Sequence, residues 1–322
     1  MLAIGSYTLS SNILLAPMAG ITDPPFRRLC RHYGAGLATS EMLTSDINLW
    51  HSKKSVSRLP QVDEAEPRSV QIAGTEPQLM AKAACFSMKK GAQIIDINMG
   101  CPAKKVCHKN AGSALMQEPK RVAAILKAVT HAVDIPVTLK IRTGWAHKHR
   151  NVLQIAEIAQ KNNISALTIH GRTRQDAYRG HAEYETIRQV KQAIDMPIIA
   201  NGDLNTIENL KFVLEYTKAD GLMIGRAAQG QPWIFRQFNE ILNHGKILTK
   251  QSLTEKQMII IDHINAIHRF FGIKTGVRIA RKHIGWYLDK LSISPVVKRS
   301  IFETDKPEKQ VQLLDQALAS PQ

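Results

Sequence analysis

The sequence predicts a (β/α)8 barrel, the TIM-barrel class of α/β fold, followed by a small all-helical C-terminal domain. Three observations carry this. Eight short apolar runs recur through roughly the first 240 residues, the usual size of such a barrel. Helix-like stretches alternate with those runs. Beyond about residue 244 the strand signal stops and only helical spacing continues.

The runs are Ile13–Ala16, Leu37–Ser40, Ser69–Ile72, Ile94–Asn98, Val137–Ile141, Ala166–His170, Pro197–Asn201 and Gly221–Ile224. Several, such as IIDIN, LTIH, PIIAN and LMIG, show no polar alternation, as expected of strands covered on both faces. Between them Pro77–Lys90, Pro119–Ala132, Val152–Lys161, Tyr184–Ala193 and Ile207–Tyr216 have helical spacing. Pro77 and Pro119 suit the first helical turn, where the missing N–H is not needed. A doubly wound sheet would place a glycine-rich phosphate turn after its first strand. Here Gly34-Ala35-Gly36 is followed by LAT, and no Walker A string occurs.

In the tail, Ser252-Leu-Thr-Glu255 is a capping box. It opens a helix with Met258, Ile261, Ile264, Ile267 and Phe271 on one face. Further helices are expected at Val277–Leu288 and Glu308–Leu318. The expected domains are residues 1–243 and 244–322, with a boundary near His244–Lys250.

The 322 residues carry a formal charge of +16, with 44% hydrophobic and 22% charged residues. That composition excludes a disordered, collagen-like or coiled-coil chain. The basic surplus points to a polyanionic partner met by a folded face, since no long Lys/Arg block occurs. Four cysteines without a C-x-x-C spacing argue against a disulfide scaffold or a structural metal, so no metal is expected. The start lacks a basic leader, and no apolar run approaches the roughly 20 residues of a bilayer span. A cytoplasmic, reduced protein with no membrane partner is expected, functioning as a monomer.

Active sites of these barrels lie at the C-terminal strand ends. Those ends carry Pro17-Met18-Ala19, Gln71, Asn98 to Pro102, Lys140, His170-Gly171-Arg172, Asn201-Gly202-Asp203 and Gly225-Arg226. The last two sets fit a phosphate cup, because loops seven and eight of the fold offer backbone N–H groups and glycine allows close approach. Lys140, in the apolar run VTLKI, is read either as a Schiff-base lysine or as a cation facing an electron-rich cofactor ring. His170 suits a phosphate or ring contact, or a structural role. Cys101 sits in a Gly-Cys-Pro turn beside Lys104 and Lys105, as either a reactive thiol or a small buried hydrophobe.

Together the strings APMAGITDPPFR, SVQIAG, IIDINMGCPAKKV, TLKIRTGW, LTIHGRTR, IIANGD, MIGRAAQGQPWIF and RIARKHIGWYL resemble the tRNA-dihydrouridine synthases, the B-type bacterial branch most of all. The resemblance implies an FMN-binding barrel with a helical tRNA-recognition tail. It implies reduction of the uridine C5=C6 bond in the tRNA D-loop, at U17, with NADPH (or NADH) as donor. Hydride would pass from FMN N5 to C6 and a proton from Cys101 to C5. By motif position Pro17, Met18, Ala19, Gln71, Lys140, His170, Asn201, Gly202, Asp203, Gly225 and Arg226 would hold FMN, and Asn98 the target base. Basic residues at the mouth (Lys104, Lys105, Arg172, Arg174) and on one stripe of the second tail helix (Arg278, Arg281, Lys282) are the candidate tRNA contacts.

Overall fold

A computed structural model describes residues 1–291 and 293–319. The chain divides into two compact units, Met1–Gly225 and the residues from Arg226 on. The division falls ahead of the His244–Lys250 boundary expected from the sequence.

The first unit opens with a two-residue hairpin, β1 (Ala3–Ile4) and β2 (Tyr7–Thr8), turned at Gly5 with φ +57. A side chain at Gly5 would lie 2.4 Å from Pro136 Cγ, so the turn is pressed against the start of a barrel strand. The barrel follows. Its strands are β3 (Ile13–Leu15), β4 (Leu43–Thr44), β5 (Ser69–Ala73), β6 (Ile94–Met99), β7 (Val137–Arg142), β8 (Ala166–His170), β9 (Ile198–Asn201) and β10 (Gly221–Ile224). All eight pair in parallel in the order β3-β10-β9-β8-β7-β6-β5-β4. The second run, expected at Leu37–Ser40, is realised as single bridges from Ala38 to Leu15 and from Thr39 to Ser69. Those bridges join the first and third strands across the seam, and regular pairing resumes only at Leu43.

The outer layer of this unit is α1 (Pro24–His32), α2 (Lys53–Val56), α3 (Pro77–Lys89), α4 (Lys104–Cys107), α5 (Pro119–Thr130), α6 (Val152–Lys161), α7 (Glu185–Ala193) and α8 (Ile207–Thr217). Proline occupies the first turn of α1, α3 and α5, and the Asp23 carboxylate accepts from the Phe26 N–H to cap α1. Inward stripes such as Val122, Ile125, Leu126 and Val129 of α5 are fully buried. Each such side chain contributes roughly 1.5–3 kcal/mol of burial. The barrel floor is a separate apolar cluster. Leu2, Ile4 and Leu9 from the hairpin segment pack there with Leu14, Ile94, Ala166, Ile199 and Met223 from the strands.

The second unit is helical: α9 (Ile234–His244), α10 (Leu253–Phe271), α11 (Ile273–Lys290), α12 (Pro295–Glu303) and α13 (Pro307–Ala319). The Ser252/Glu255 capping box forms as expected. The buried face of α10 is Ile260, His263, Ile264 and Ile267, whereas Met258 is 62% exposed. It packs with Val277, Ala280, Ile284 and Leu288 of α11 and with Leu314 and Leu318 of α13. Among the described residues no helix is long and apolar enough to cross a membrane.

Candidate active site at the strand ends

Side chains alternate along a strand, so residues two apart share a face. In β6 that puts Asp96 with Asn98, and in β7 Thr138 with Lys140. The parallel register sets Gln71 beside Asp96, Asp96 beside Thr138, and Asn98 beside Lys140. The result is a buried polar layer. The Gln71 Nε2 donates to Asp96 Oδ2 at 2.7 Å, and the Thr138 hydroxyl donates to Oδ1 at 2.6 Å. Asn98 Nδ2 donates to Gln71 Oε1 at 2.7 Å. The Lys140 ammonium donates to Asn201 Oδ1 at 2.9 Å, and Asn201 Nδ2 donates to the Met223 carbonyl. Asp96 and Thr138 were not among the residues singled out from sequence. The visible signal was an aspartate in an apolar strand, two residues before Asn98.

Burial sets the electrostatics. It lowers Lys140 to about 8, helped by the nearby Arg142 charge and opposed by Asp96 and Cys101. Burial also raises the Asp96 carboxyl, against its bonds from Thr138 and Gln71 and the Lys140 charge.

Cys101 follows β6 on a loop held from several sides. Its N–H and that of Gly100 donate to Asn98 Oδ1 at 3.0 and 3.3 Å. Its carbonyl accepts from the Ser113 hydroxyl at 2.8 Å. The Arg142 guanidinium, itself buried, donates through Nε to the Gly100 carbonyl at 2.8 Å and through Nη1 to Thr173 and Ala177 carbonyls. Arg142 therefore joins the Cys101 loop to the loop after β8. Burial raises the Cys101 thiol above its ordinary value. That outweighs the Ala103 N–H and the Arg142 and Lys140 charges, which pull the other way. The group is a thiol at neutral pH, suited to giving a proton rather than attacking as a thiolate.

The two glycine loops differ. Gly202 has φ +120, and a Cβ there would lie 2.7 Å from Ala182 Cβ and 3.0 Å from His170 Cδ2. The fold itself requires this glycine. Gly225 has no such need: a Cβ would make only ordinary contact with Met18 Sδ at 3.7 Å and Ala16 Cβ at 3.8 Å. Met18 heads the turn after β3, its carbonyl accepting from the Ile21 and Thr22 N–H groups, with Pro17 half-buried and Ala19 exposed beside it. Arg226 is exposed and opens the short 3-10 turn after β10. A layer of carboxamides, one buried ammonium and two glycine loops fits a planar, carbonyl-rich ring bearing a phosphate.

Asp203 and Arg172 pair with each other. Arg172 is 2% exposed. Its guanidinium donates to Asp203 Oδ2 at 2.6 Å and to the Arg179 and Gly180 carbonyls, and it lies 3.3 Å from His170 Nε2. Asp203 Oδ2 also accepts from the Ala182 N–H. This pair ties the β8 loop to the β9 loop. Arg172, expected as a tRNA contact, is here turned inward on these partners.

The other basic residues are more open. Lys104 and Lys105 are exposed on α4. Arg174 lies over the Trp145 ring at 4.6 Å. Tyr178, 57% exposed, stands over Arg142 at 5.5 Å and near His170 at 6.4 Å. In the second unit Arg278 is exposed, Lys282 is half-buried, and Arg281 donates to the Thr304 carbonyl at 3.1 Å. Arg281 thus serves the helical unit itself as well as its surface.

Fold and site together define a barrel of the flavoenzyme type with a buried polar layer at its C-terminal strand ends. The dihydrouridine synthase (Dus) family profile matches residues 14–321, and the chain belongs to that family. Among curated relatives, tRNA-dihydrouridine synthase B of Pseudomonas syringae pv. tomato is 57% identical over 288 residues, 89% of this chain and 86% of the relative. The Vibrio parahaemolyticus protein of the same name is 52% identical over 312 residues, 97% of each chain. Solved structures share the fold at 12% identity. Histamine dehydrogenase from Rhizobium sp. 4-9 has a TM-score of 0.58, covering 82% of this chain and 50% of its own. A 2-naphthoyl-CoA reductase has a TM-score of 0.60, covering 76% and 52%.

Proposed function

We propose that the protein is an FMN-dependent tRNA-dihydrouridine synthase that reduces a D-loop uridine, U17, with NADPH (or NADH) as donor. The observation that carries the reading is the Cys101 thiol, kept protonated by burial and anchored to a buried amide layer at the barrel mouth. The names of the relatives supply the tRNA substrate.

Gln71, Lys140 and His170 would surround the isoalloxazine. Asn201, Gly202, Gly225 and Arg226 would take the phosphate, and Pro17, Met18 and Ala19 one edge. Asp203, paired with Arg172, would also hold the cofactor. The bound FMN supplies the hydride that adds to uracil C6. Cys101 donates its proton to C5, and the thiolate left behind faces the Arg142 and Lys140 charges before solvent reprotonates it. Asn98 keeps one amide N–H for the uracil. An extruded base is required, because C5 and C6 must lie flat on the ring. Lys104, Lys105 and Arg174 on the first unit, and Arg278, Lys282 and Arg281 on the second, are the proposed phosphate contacts. Residues 1–243 would form the catalytic domain and 244–322 the tRNA-recognition domain of a cytoplasmic monomer.

The deciding experiment is Cys101→Ala assayed on tRNA lacking dihydrouridine. FMN should stay bound and dihydrouridine formation should fall by about 100-fold or more, within the range of a lost general acid. Unchanged turnover would remove Cys101 from the reaction.

A further inference from the structure

The buried layer contains two carboxamides in series, and a carboxamide can face its neighbours either way round. An amide chain has no preferred polarity of its own. Here something sets it. Gln71 gives its N–H to Asp96 and so turns its oxygen to Asn98. Asn98 gives its N–H to that oxygen and so turns its own oxygen to the Gly100 and Cys101 N–H groups.

We propose that Asp96 is a positioning residue which fixes the polarity of the Gln71–Asn98 pair and thereby seats the Cys101 loop. An ionised carboxylate only accepts, so it admits a single orientation of Gln71. With Gln71 reversed, two oxygens would meet at Asp96. With Asn98 reversed, an NH2 group would face the two half-buried backbone N–H donors and leave both without that acceptor, which is costly. The carboxylate is itself held. Thr138 occupies Oδ1 and Gln71 occupies Oδ2, and the register of β5, β6 and β7 places all three at one level. Asp96 makes no hydrogen bond to Cys101; beside its charge on Lys140, it reaches the Cys101 loop through the two amides.

The inference rests on the reading of Cys101 as the acid, and it adds what keeps that acid in place. Its test separates the two half-reactions in the holoenzyme. In Asp96→Asn the new amide can show Gln71 either an oxygen or an NH2, so the chain loses its single polarity. Flavin bleaching by NADPH, which does not need Cys101, should slow by less than the tRNA half-reaction, because any effect of Gln71 and Lys140 on the flavin is common to both. Reoxidation of the reduced flavin by tRNA should slow by about tenfold. Alkylation of Cys101 by iodoacetamide, located by peptide mass spectrometry, should quicken by about threefold as the loop loosens. Thr138→Val takes a hydroxyl from the same carboxylate but leaves it to orient Gln71. It should stay within about twofold of wild type in all three measurements.

Asp96→Asn with normal reoxidation and normal alkylation overturns the proposal. So does a Thr138→Val loss equal to that of Asp96→Asn, which would mark a packing role only. The pair Asp96→Asn with Gln71→Glu exchanges donor and acceptor while still showing Asn98 an oxygen. Its Cys101 alkylation should return to within about twofold of wild type, and no return also overturns the proposal. Alkylation needs no tRNA. If wild-type protein made no dihydrouridine, the proposed function would fall while the alkylation result still judged Asp96.

Discussion

Lys140→Met is expected to make the flavin-free protein more stable and less able to bind FMN. Lys140 has an ordinary value of 10.5 and sits at about 8 in the fold. At about 1.4 kcal/mol per tenfold, that gap is a penalty of ~3 kcal/mol for keeping the buried ammonium charged. The sign follows from proton linkage. Between pH 8 and 10.5 the unfolded chain holds a proton that the folded chain has released, so stability rises with pH across that window. Below pH 8 the whole penalty is present. Methionine keeps the length of the side chain without the charge. It also leaves Asn201 Oδ1 without its donor, which costs about 1 kcal/mol. The net gain should be about 2 kcal/mol at pH 7. It should vanish by pH 10, where the lost Asn201 bond dominates. Urea unfolding of flavin-free protein at both pH values measures this, and flavin titration of the same samples should show FMN affinity down about tenfold. A variant no more stable at pH 7, or one with the same gain at both pH values, would refute the reasoning.

Three further outcomes follow from the site. Because burial raises the Cys101 thiol, its alkylation rate should keep climbing through pH ~8.5, the ordinary cysteine value; a plateau below that point contradicts a protonated acid. Replacing Lys104 and Lys105 together with glutamate should weaken tRNA binding by about tenfold or more and reduce its salt slope by about 2, with NADPH oxidation by the flavin untouched. Gly202→Ala should destabilise the first unit by about 1–3 kcal/mol and displace His170, seen as a lower melting temperature and lost flavin, since its φ of +120 and the 2.7 Å approach to Ala182 leave no room.

Much of the site was readable because chemistry concentrates at strand ends. Lys140, His170, Asn201 and Gly225 stand at or beside the ends of apolar runs, and the fold says which terminus to read. What lies between those residues was harder to read. Asp96 falls inside a run that looks apolar, and its role depends on register with Gln71 and Thr138, which no single strand reveals. Arg172 stands in a basic string at the rim, yet the chain folds back so that Asp203 and two carbonyls surround it. The seam strand was placed at Leu37–Ser40, where composition is right but only two bridges form. In α10 an exposed Met258 imitated the core stripe, because methionine at helical spacing carries the same signal whether or not a partner covers it.

The hairpin beneath the barrel has a kinetic consequence. Leu2, Ile4 and Leu9 stopper the floor of the first unit, so its polar layer is closed from that side. In the proposed reaction the nicotinamide donor and the tRNA would both come to the polar layer from the strand-end side and so would take turns there. Initial-rate plots with both substrates varied should give parallel lines, and excess of either substrate should slow the other by occupying that side.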